Sequence, residues 1–361
     1  MDKQINDPCS WLIREGSMIT TKSRNMTKVL QAGAAFAVVA ALGAAPATAQ
    51  KLTKVKYAEV VRSVFYLPKY VAIAKGYFAD QGIEVDMTTA WGGDKGTAML
   101  LTGRVDVVLQ GPETAVYVEN GESPLKTKMF AAITATDGLF LMSRQRMTME
   151  QFKWSMIRGK TVMGWRPGST PGLFLEFAMK KHGINPKKDL NHVTNIAIPA
   201  RVGAWVVNKA DFSVFFEPDV SKLSRQGIAY PVASIGKEIG SVDYTVFMAT
   251  DDYIKKNPAI IQGWANAIHK AQKWIQTADS TAAAKTIAKW FPKVEIQDIA
   301  ASVSRYRKFG IWKTDPTTHP EAIDALQDIL IEGGVLKASK RVKYDRIVLT
   351  KFSETAKKTV K

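Results

Sequence analysis

The 361-residue chain holds a single cysteine, Cys9, and only four histidines. Neither a disulfide framework nor a Cys/His metal cage can be built from that supply. His182, His192, His269 and His319 stand in unrelated contexts, and none forms an H-E-x-x-H pair. Phosphate loops are missing as well, because Trp154 occupies the place of the first glycine ahead of Gly159-Lys160-Thr161. Gly168-Ser169-Thr170-Pro171-Gly172 puts its serine one place too early for a nucleophile elbow. No dinucleotide fingerprint follows the first strand. These absences argue against an enzyme, and no metal or cofactor is expected. Long apolar runs are scarce too. The best one, Ala32 to Leu42, is too short for the roughly 20 residues that a membrane helix needs.

That run has a different meaning. Lys22, Arg24 and Lys28 precede it, and Ala44-Ala45-Pro46-Ala47-Thr48-Ala49 follows. A basic region, a short apolar stretch and a small-x-small end read as a secretory signal peptide, with cleavage between Ala49 and Gln50. Met18 or Met26 would each open a signal peptide of ordinary length, so the residues before Met18 read as an upstream extension. Cys9 would leave with the leader, and no cysteine stands near the cleavage point to take a lipid anchor. The expectation is an exported, soluble, periplasmic protein without disulfides.

Cleavage leaves 312 residues and, once five Lys/Arg and three Asp/Glu are removed, a charge of +15 out of the chain's +17. A chain of that length buries a sizeable core and usually divides in two. Hydrophobic residues at 46% with nine Trp argue against disorder. The Lys and Arg are spread along the chain rather than clustered, which reads as a solvated basic surface, and export argues against a nucleic-acid partner. Basic charge could also hold the protein near anionic lipids or concentrate anionic solutes.

Strands and helices alternate after the leader. Val55 to Val60, Ile83 to Thr89 and Val105 to Leu109 read as strands, with helices over Tyr70 to Gln81 and Thr97 to Leu101 between them. Gly82 stands where a helix C-cap would. A second unit repeats the pattern, with strands Lys160 to Gly164, His192 to Asn195 and Asp211 to Phe215 around helices Leu173 to His182 and Val202 to Asn208. Such β-α-β-α-β runs predict parallel sheets covered by helices. From about Tyr253 the chain turns helical, over Ala259 to Thr277, Thr281 to Trp290, Ile296 to Phe309 and Pro320 to Glu332. The fold class expected is α/β with two lobes. Residues 50–138 open lobe 1, 139–246 form lobe 2, and 247–361 return as helices to lobe 1. Crossings are expected near Thr136 to Gly138 and Tyr244 to Phe247.

Several stretches then resemble a known family. They are Tyr66-Leu67-Pro68, Ala72 to Phe78 (AIAKGYF), Gln81 to Val85 (QGIEV), Leu101-Thr102-Gly103 with Asp106, Arg158 to Val162 (RGKTV), Phe216-Glu217-Pro218, and Asn257-Pro258 with Ala267, Ala271 and Trp274. In that order and spacing they resemble solute-binding proteins for nitrate, sulfonates, taurine and thiamine precursors. The resemblance spans roughly residues 53 to 310. It implies a periplasmic-binding-protein fold of type II with two crossover segments, and a ligand cleft between the lobes. It also implies a monomer that binds a small-molecule solute and delivers it to the permease of an ABC importer. A periplasmic sensor-input role is the alternative. Pyrimidine synthases for thiamine share the fold, but they need a cysteine- and histidine-containing arrangement that this chain lacks after cleavage. Trp91-Gly92-Gly93, Gly111-Pro112-Glu113 and Gly164 to Thr170 (GWRPGST) look closer to the thiamine-precursor-like members than to simple nitrate binders.

Ligands of open α/β sheets sit beyond the carboxyl ends of the strands. That rule selects Arg62 to Tyr66, Trp91 to Gly93, Gln110 to Glu113, Trp165 to Thr170, Ile198 to Arg201 and Phe216 to Asp219, with Asp137 and Tyr244 at the crossings. Gly168, Ser169 and Thr170 precede a helix whose free N–H groups suit an anion or a polar oxygen, or serve as a plain cap. Gly92 offers the same. Tyr66, Trp91, Trp165 and Phe216 could sandwich a ring, or pack the lobes together. Arg62, Arg166 and Arg201 could grip a carboxylate, sulfonate or phosphate, or form inter-lobe ion pairs. Glu113, Asp137 and Glu217 could accept from an amino group or pair with those arginines. Gln110 and Gly111 complete the expected set.

Overall fold

The computed structural model describes residues 51–207 and 210–361. The leader and its Ala49–Gln50 junction lie outside them. Among the described residues, ten strands form two five-stranded sheets. In the first, β1 (Thr53–Glu59) runs parallel to β2 (Ile83–Thr89) on one side and to β3 (Val107–Gln110) on the other. Beyond β3, β10 (Val246–Thr250) runs antiparallel between β3 and β4 (Thr127–Ala132). In the second sheet, β6 (Thr161–Met163) lies parallel between β7 (Asn191–Val193) and β8 (Phe212–Phe215). There β5 (Phe140–Ser143) runs antiparallel between β8 and β9 (Tyr230–Ser234).

The orders β2-β1-β3-β10-β4 and β7-β6-β8-β5-β9 follow one plan used twice. In each lobe the antiparallel strand is the one that has just crossed from the other lobe. The chain thus adopts the expected α/β two-lobe architecture with two crossovers. These crossovers run side by side. Ile133 N–H donates to Thr245 O at 2.9 Å, Thr245 N–H to Thr134 Oγ1 at 2.9 Å, and Val242 N–H to Ala135 O at 3.0 Å.

Local chemistry sets the helix limits. The helix expected to run unbroken from Tyr70 to Gln81 spans Leu67–Ala74 instead, with Pro68 in its first turn and a separate 3-10 turn at Ala79–Gln81. Gly76, at φ 73°, takes the left-handed conformation that ends a helix. Pro258–Thr277 begins at the expected Asn257-Pro258 signal and buries a stripe through Ile261, Trp264, Ile268, Ala271 and Ile275. That spacing is the inward face of an amphipathic helix. Trp264 packs among Tyr57, Phe78 and Phe247, with ring centroids 4.6–5.6 Å away. No helix among the described residues is long and apolar enough to cross a membrane.

One C-terminal helix, Ile296–Lys308, does more than cover lobe 1: it also docks on lobe 2. Arg225 of lobe 2 grips Asp298 with two nitrogens at 2.8 and 3.0 Å. The Glu217 carboxylate is fully buried beside it. It accepts from Ser221 N–H, Ser221 Oγ and Ser302 Oγ, each at 2.9 Å, and pairs with Arg305. A buried carboxylate is tolerated only when its oxygens are satisfied this fully. Removing the arginine would leave an uncompensated charge, so Arg305→Ala should cost about 3–5 kcal/mol. Chemical unfolding should show that loss; a change under 1 kcal/mol would mean that the pair holds nothing together.

Candidate functional site

The carboxyl ends of β1, β3, β6 and β8 face one another across the gap between the lobes. A small, partly open cavity of about 40 Å³ lies there. Lobe 1 supplies Tyr66, Gly111 and Glu113; lobe 2 supplies Trp165, Arg166, Ser169, Thr170 and Phe216; the second crossover adds Tyr244. Next to it is a larger chamber of about 310 Å³, which shares Val61, Trp165, Ile198 and Phe216 as walls. On the other side an open groove of about 480 Å³ runs along Asp94, Glu113, Tyr117, Arg166 and Gly168. The lobes touch over this groove: Arg166 pairs with Asp94 at 2.9 Å, and Tyr117 OH donates to Gly168 O at 3.2 Å.

The expected residues separate into three groups. Tyr66, Gly111, Glu113, Trp165, Arg166, Ser169, Thr170 and Tyr244 wall the small cavity together, with Gly168 at the adjoining groove. Arg62, Arg201 and Glu217 lie instead around the larger chamber. Trp91, Gly92, Gln110 and Asp137 line none of the three. Trp91 is 40% exposed, whereas Phe216 stacks on Phe65 at 5.2 Å and meets Trp165 edge-on at 5.6 Å, so these rings pack against one another at the cleft. Gln110 spends its amide on Thr97 and Thr114, and Gly92 packs beside the Asp94–Arg166 pair.

The three arginines have partners already. Arg62 leans on Glu59 at 3.4 Å. Arg201 is buried, and its guanidinium donates to Gly164 O, Met163 O, Val214 O and Ser213 Oγ. It lies over the Trp165 ring at 4.2 Å, covering one face. Burial pushes it down to about 9, which leaves it cationic at neutral pH. Its work is to cap the ends of β6 and β8 and to hold Trp165 in place. Glu217 is consumed by the inter-lobe network described above. Asp94 and Tyr117, and Trp290 to Val294 of the chamber, were not foreseen. The strand-end rule points only at the first residues after a strand, and these come from helix faces and the C-terminal segment.

Glu113 begins the helix Glu113–Asn120, and Thr170 begins Thr170–Lys181, so two helix N-termini meet in one cavity. Ser169 does not cap the second helix; its hydroxyl turns back to Arg166 O at 2.6 Å. The Glu113 carboxyl is buried, and its Oε2 has no hydrogen-bond partner. Burial raises its pKa; the Thr170 hydroxyl and N–H and the Arg166 charge act in the opposite direction. Thr170 Oγ1 is close enough to act on the carboxyl but outside hydrogen-bond geometry, and it too is unpartnered. So is Arg166 Nε. Folded chains rarely leave such atoms bare without a reason.

A pocket walled by both lobes and by a crossover, on this strand order, defines a two-lobe binding protein. The chain belongs to the NMT1/THI5-like family, whose model matches residues 65–282. Among relatives, YtlA of Bacillus subtilis (strain 168) is 37% identical over 305 residues, covering 84% of this chain and 90% of that protein. The fold is also that of the ligand-binding component of an ABC-type import system from Staphylococcus aureus. That match has a TM-score of 0.69 at 14% identity and covers 84% of this chain and 99% of the other. The periplasmic nitrate-binding protein NrtA from Synechocystis PCC 6803 matches with a TM-score of 0.68 at 17% identity, over 86% and 90%.

Asp137, at the first crossover, is fully buried; Leu139 N–H donates to Oδ1 while Oδ2 is unpartnered. Burial pushes it from an ordinary 3.8 up to about 7. The folded protein therefore keeps a proton that the unfolded chain releases, and stability falls as pH rises from about 4 to 7. Asp137→Asn should remove that slope, shifting variant against wild type by on the order of 3 kcal/mol between pH 4 and 8. Urea unfolding at three pH values measures it; a pH-independent difference would refute the assignment.

Proposed function

We propose that this protein is the extracytoplasmic solute-binding component of an ABC importer, and that it takes a small ring-bearing organic solute between its lobes. The observation that carries the reading is the convergence of Tyr66, Trp165, Phe216 and Tyr244 with polar groups of both lobes on one small cavity, which must widen to admit a ring. Flat apolar walls favour a ring, each stacked pair contributing about 0.5–1.5 kcal/mol beyond area burial. The family membership and the import-system structure sharing the fold support transport. A thiamine-precursor-like heterocycle, which carries both donors and acceptors, is favoured over sulfonates or nitrate because an unpartnered carboxyl oxygen and hydroxyl stand there beside the unpartnered Arg166 Nε.

In this reading the lobes close on the solute. Solute bridging both lobes favours the form in which Asp94 meets Arg166 and Tyr117 meets Gly168, by as much as its preference for that form allows. The closed surface of both lobes then presents itself to a membrane permease.

Thermal unfolding against a panel of nitrate, taurine, alkanesulfonates, aromatic carboxylates, aminopyrimidines, thiamine and riboflavin tests this. A solute at 100 times its Kd should add about 2.7 kcal/mol and raise the midpoint by several degrees. Trp165→Ala should weaken that solute at least tenfold, about 1.4 kcal/mol, whereas exposed Trp91→Ala should leave it unchanged. Equal losses in both variants, or none in either, would remove the ring from this cavity.

A further inference from the structure

We propose that the outer face of lobe 1, built by the C-terminal segment and the end of the helix Pro258–Thr277, docks on a membrane surface of anionic phospholipid. Over the whole chain Lys and Arg are spread, but the final stretch departs from that average. Residues 337–361 carry nine Lys/Arg against Asp345 and Glu354, a side-chain charge of 9 − 2 = +7 out of the chain's +17. The stretch lies beyond residues 65–282, which the family model matches.

Folding accounts for the apolar residues of this segment. Val348 bridges to Met129, and Leu349 N–H donates to Met129 O at 2.8 Å, which covers the outer edge of β4. The helix Lys351–Thr359 then buries Phe352, Ser353 and Ala356. It runs along Pro258–Thr277: the Gln262 amide donates to Phe352 O at 3.0 Å near one end, and Lys273 Nζ to Val360 O at 3.4 Å near the other. That packing asks for no lysine, apart from the Lys351 amine lying over the Phe352 ring at 4.8 Å. Lys351 and Lys358, two turns apart, share the side of the helix away from Ala356.

The two kinds of cation are used differently. Both arginines of the segment are spent inside the protein, Arg341 on Asp324 and Asp328 and Arg346 on Glu119. Among its lysines Lys357 meets Asp315 at 3.1 Å. Lys337, Lys340, Lys343, Lys351, Lys358 and Lys361 are exposed and form no ion pair among the described residues. A carboxylate on a protein partner is best gripped by an arginine fork, whereas lysine is a mobile, hydrated point charge. Loose lysines suit the diffuse field of a charged lipid surface, near which each contributes about fivefold to binding. The face continues onto lobe 1 proper. There Lys75 and Lys270 lie over the half-buried rings of Trp274 and Tyr77, at 4.7 and 4.5 Å. Trp and Tyr with one wet end sit well at the headgroup level of a bilayer. The carboxylates that meet this face, Asp80 and Asp315, are balanced by Lys270 and Lys357. Glu354 is the exception and lowers the field by one charge.

The test is co-sedimentation of the purified protein with vesicles of mixed phosphatidylglycerol and phosphatidylcholine, and with vesicles of phosphatidylcholine alone. Wild type should sediment with the anionic vesicles at about 0.1 M salt and stay in solution with the neutral ones. It should be released at about 0.5 M, where screening acts within about 4 Å. A triple variant, Lys351→Gln, Lys358→Gln and Lys361→Gln, should bind about tenfold more weakly or worse. Lys153→Gln, Lys187→Gln and Lys188→Gln in lobe 2 remove the same charge and should cost less than about threefold. Glutamine keeps helix propensity, and equal thermal midpoints check that both variants fold. Equal losses in the two variants would reduce the effect to net charge and overturn the inference. Equal binding to neutral vesicles would overturn it as well. So would no binding to the anionic ones, which would turn these lysines toward an acidic protein surface instead. Each of these results leaves the solute-binding reading untouched.

Discussion

The arrangement of the two lobes depends on one buried carboxylate. Glu217 lies just beyond β8, yet two of its partners, Ser302 and Arg305, tie lobe 2 to a helix that arrives about 80 residues later, while Ser221 holds it from within lobe 2. Its backbone adds to the tie: Val64 N–H and Ser63 Oγ donate to its carbonyl, and its own N–H donates to Tyr306 OH. Beyond that buried network the lobes also meet through the Asp94–Arg166 pair, the Tyr117 hydrogen bond to Gly168 and the helix Pro320–Glu332, whose Glu332 carbonyl accepts from Lys180 at 3.2 Å. Exposed pairs contribute about 0–1 kcal/mol.

Much of this plan was legible in the sequence because it rests on local rules. β3 is buried at every residue, and Val105 to Leu109 already reads as a strand that is apolar but for Asp106. Asn257-Pro258 marks a helix start, and Pro320 to Glu332 forms with the boundaries expected. The break at Gly76 was missed because apolar periodicity continues through Tyr77 and Phe78, and one glycine does not reveal its φ.

Site residues were legible as neighbourhoods, not as roles. Strand ends told that Tyr66, Glu113, Trp165 and Thr170 would face a cleft. They could not tell that Arg201 would turn inward onto carbonyls, or that Glu217 would be consumed by Ser302 and Arg305, because those partners lie far away in sequence. Trp290 and Phe291 join the chamber for the same reason. A long-range partner leaves no periodic trace.

The crossing strands bear on how the molecule comes to exist. Lobe 2 draws all five strands, β5 to β9, from one continuous stretch, so it can assemble as soon as that stretch is available. Lobe 1 cannot, because β10 separates β3 from β4 in its sheet and is the last strand in the chain. Until then β3 and β4 have open edges, and the pairing they await closes a loop of more than a hundred residues. Such non-local closure is slow. Sheet topology alone thus lets the strands of the second lobe pair before those of the first, although its buried Glu217 still waits for Ser302 and Arg305.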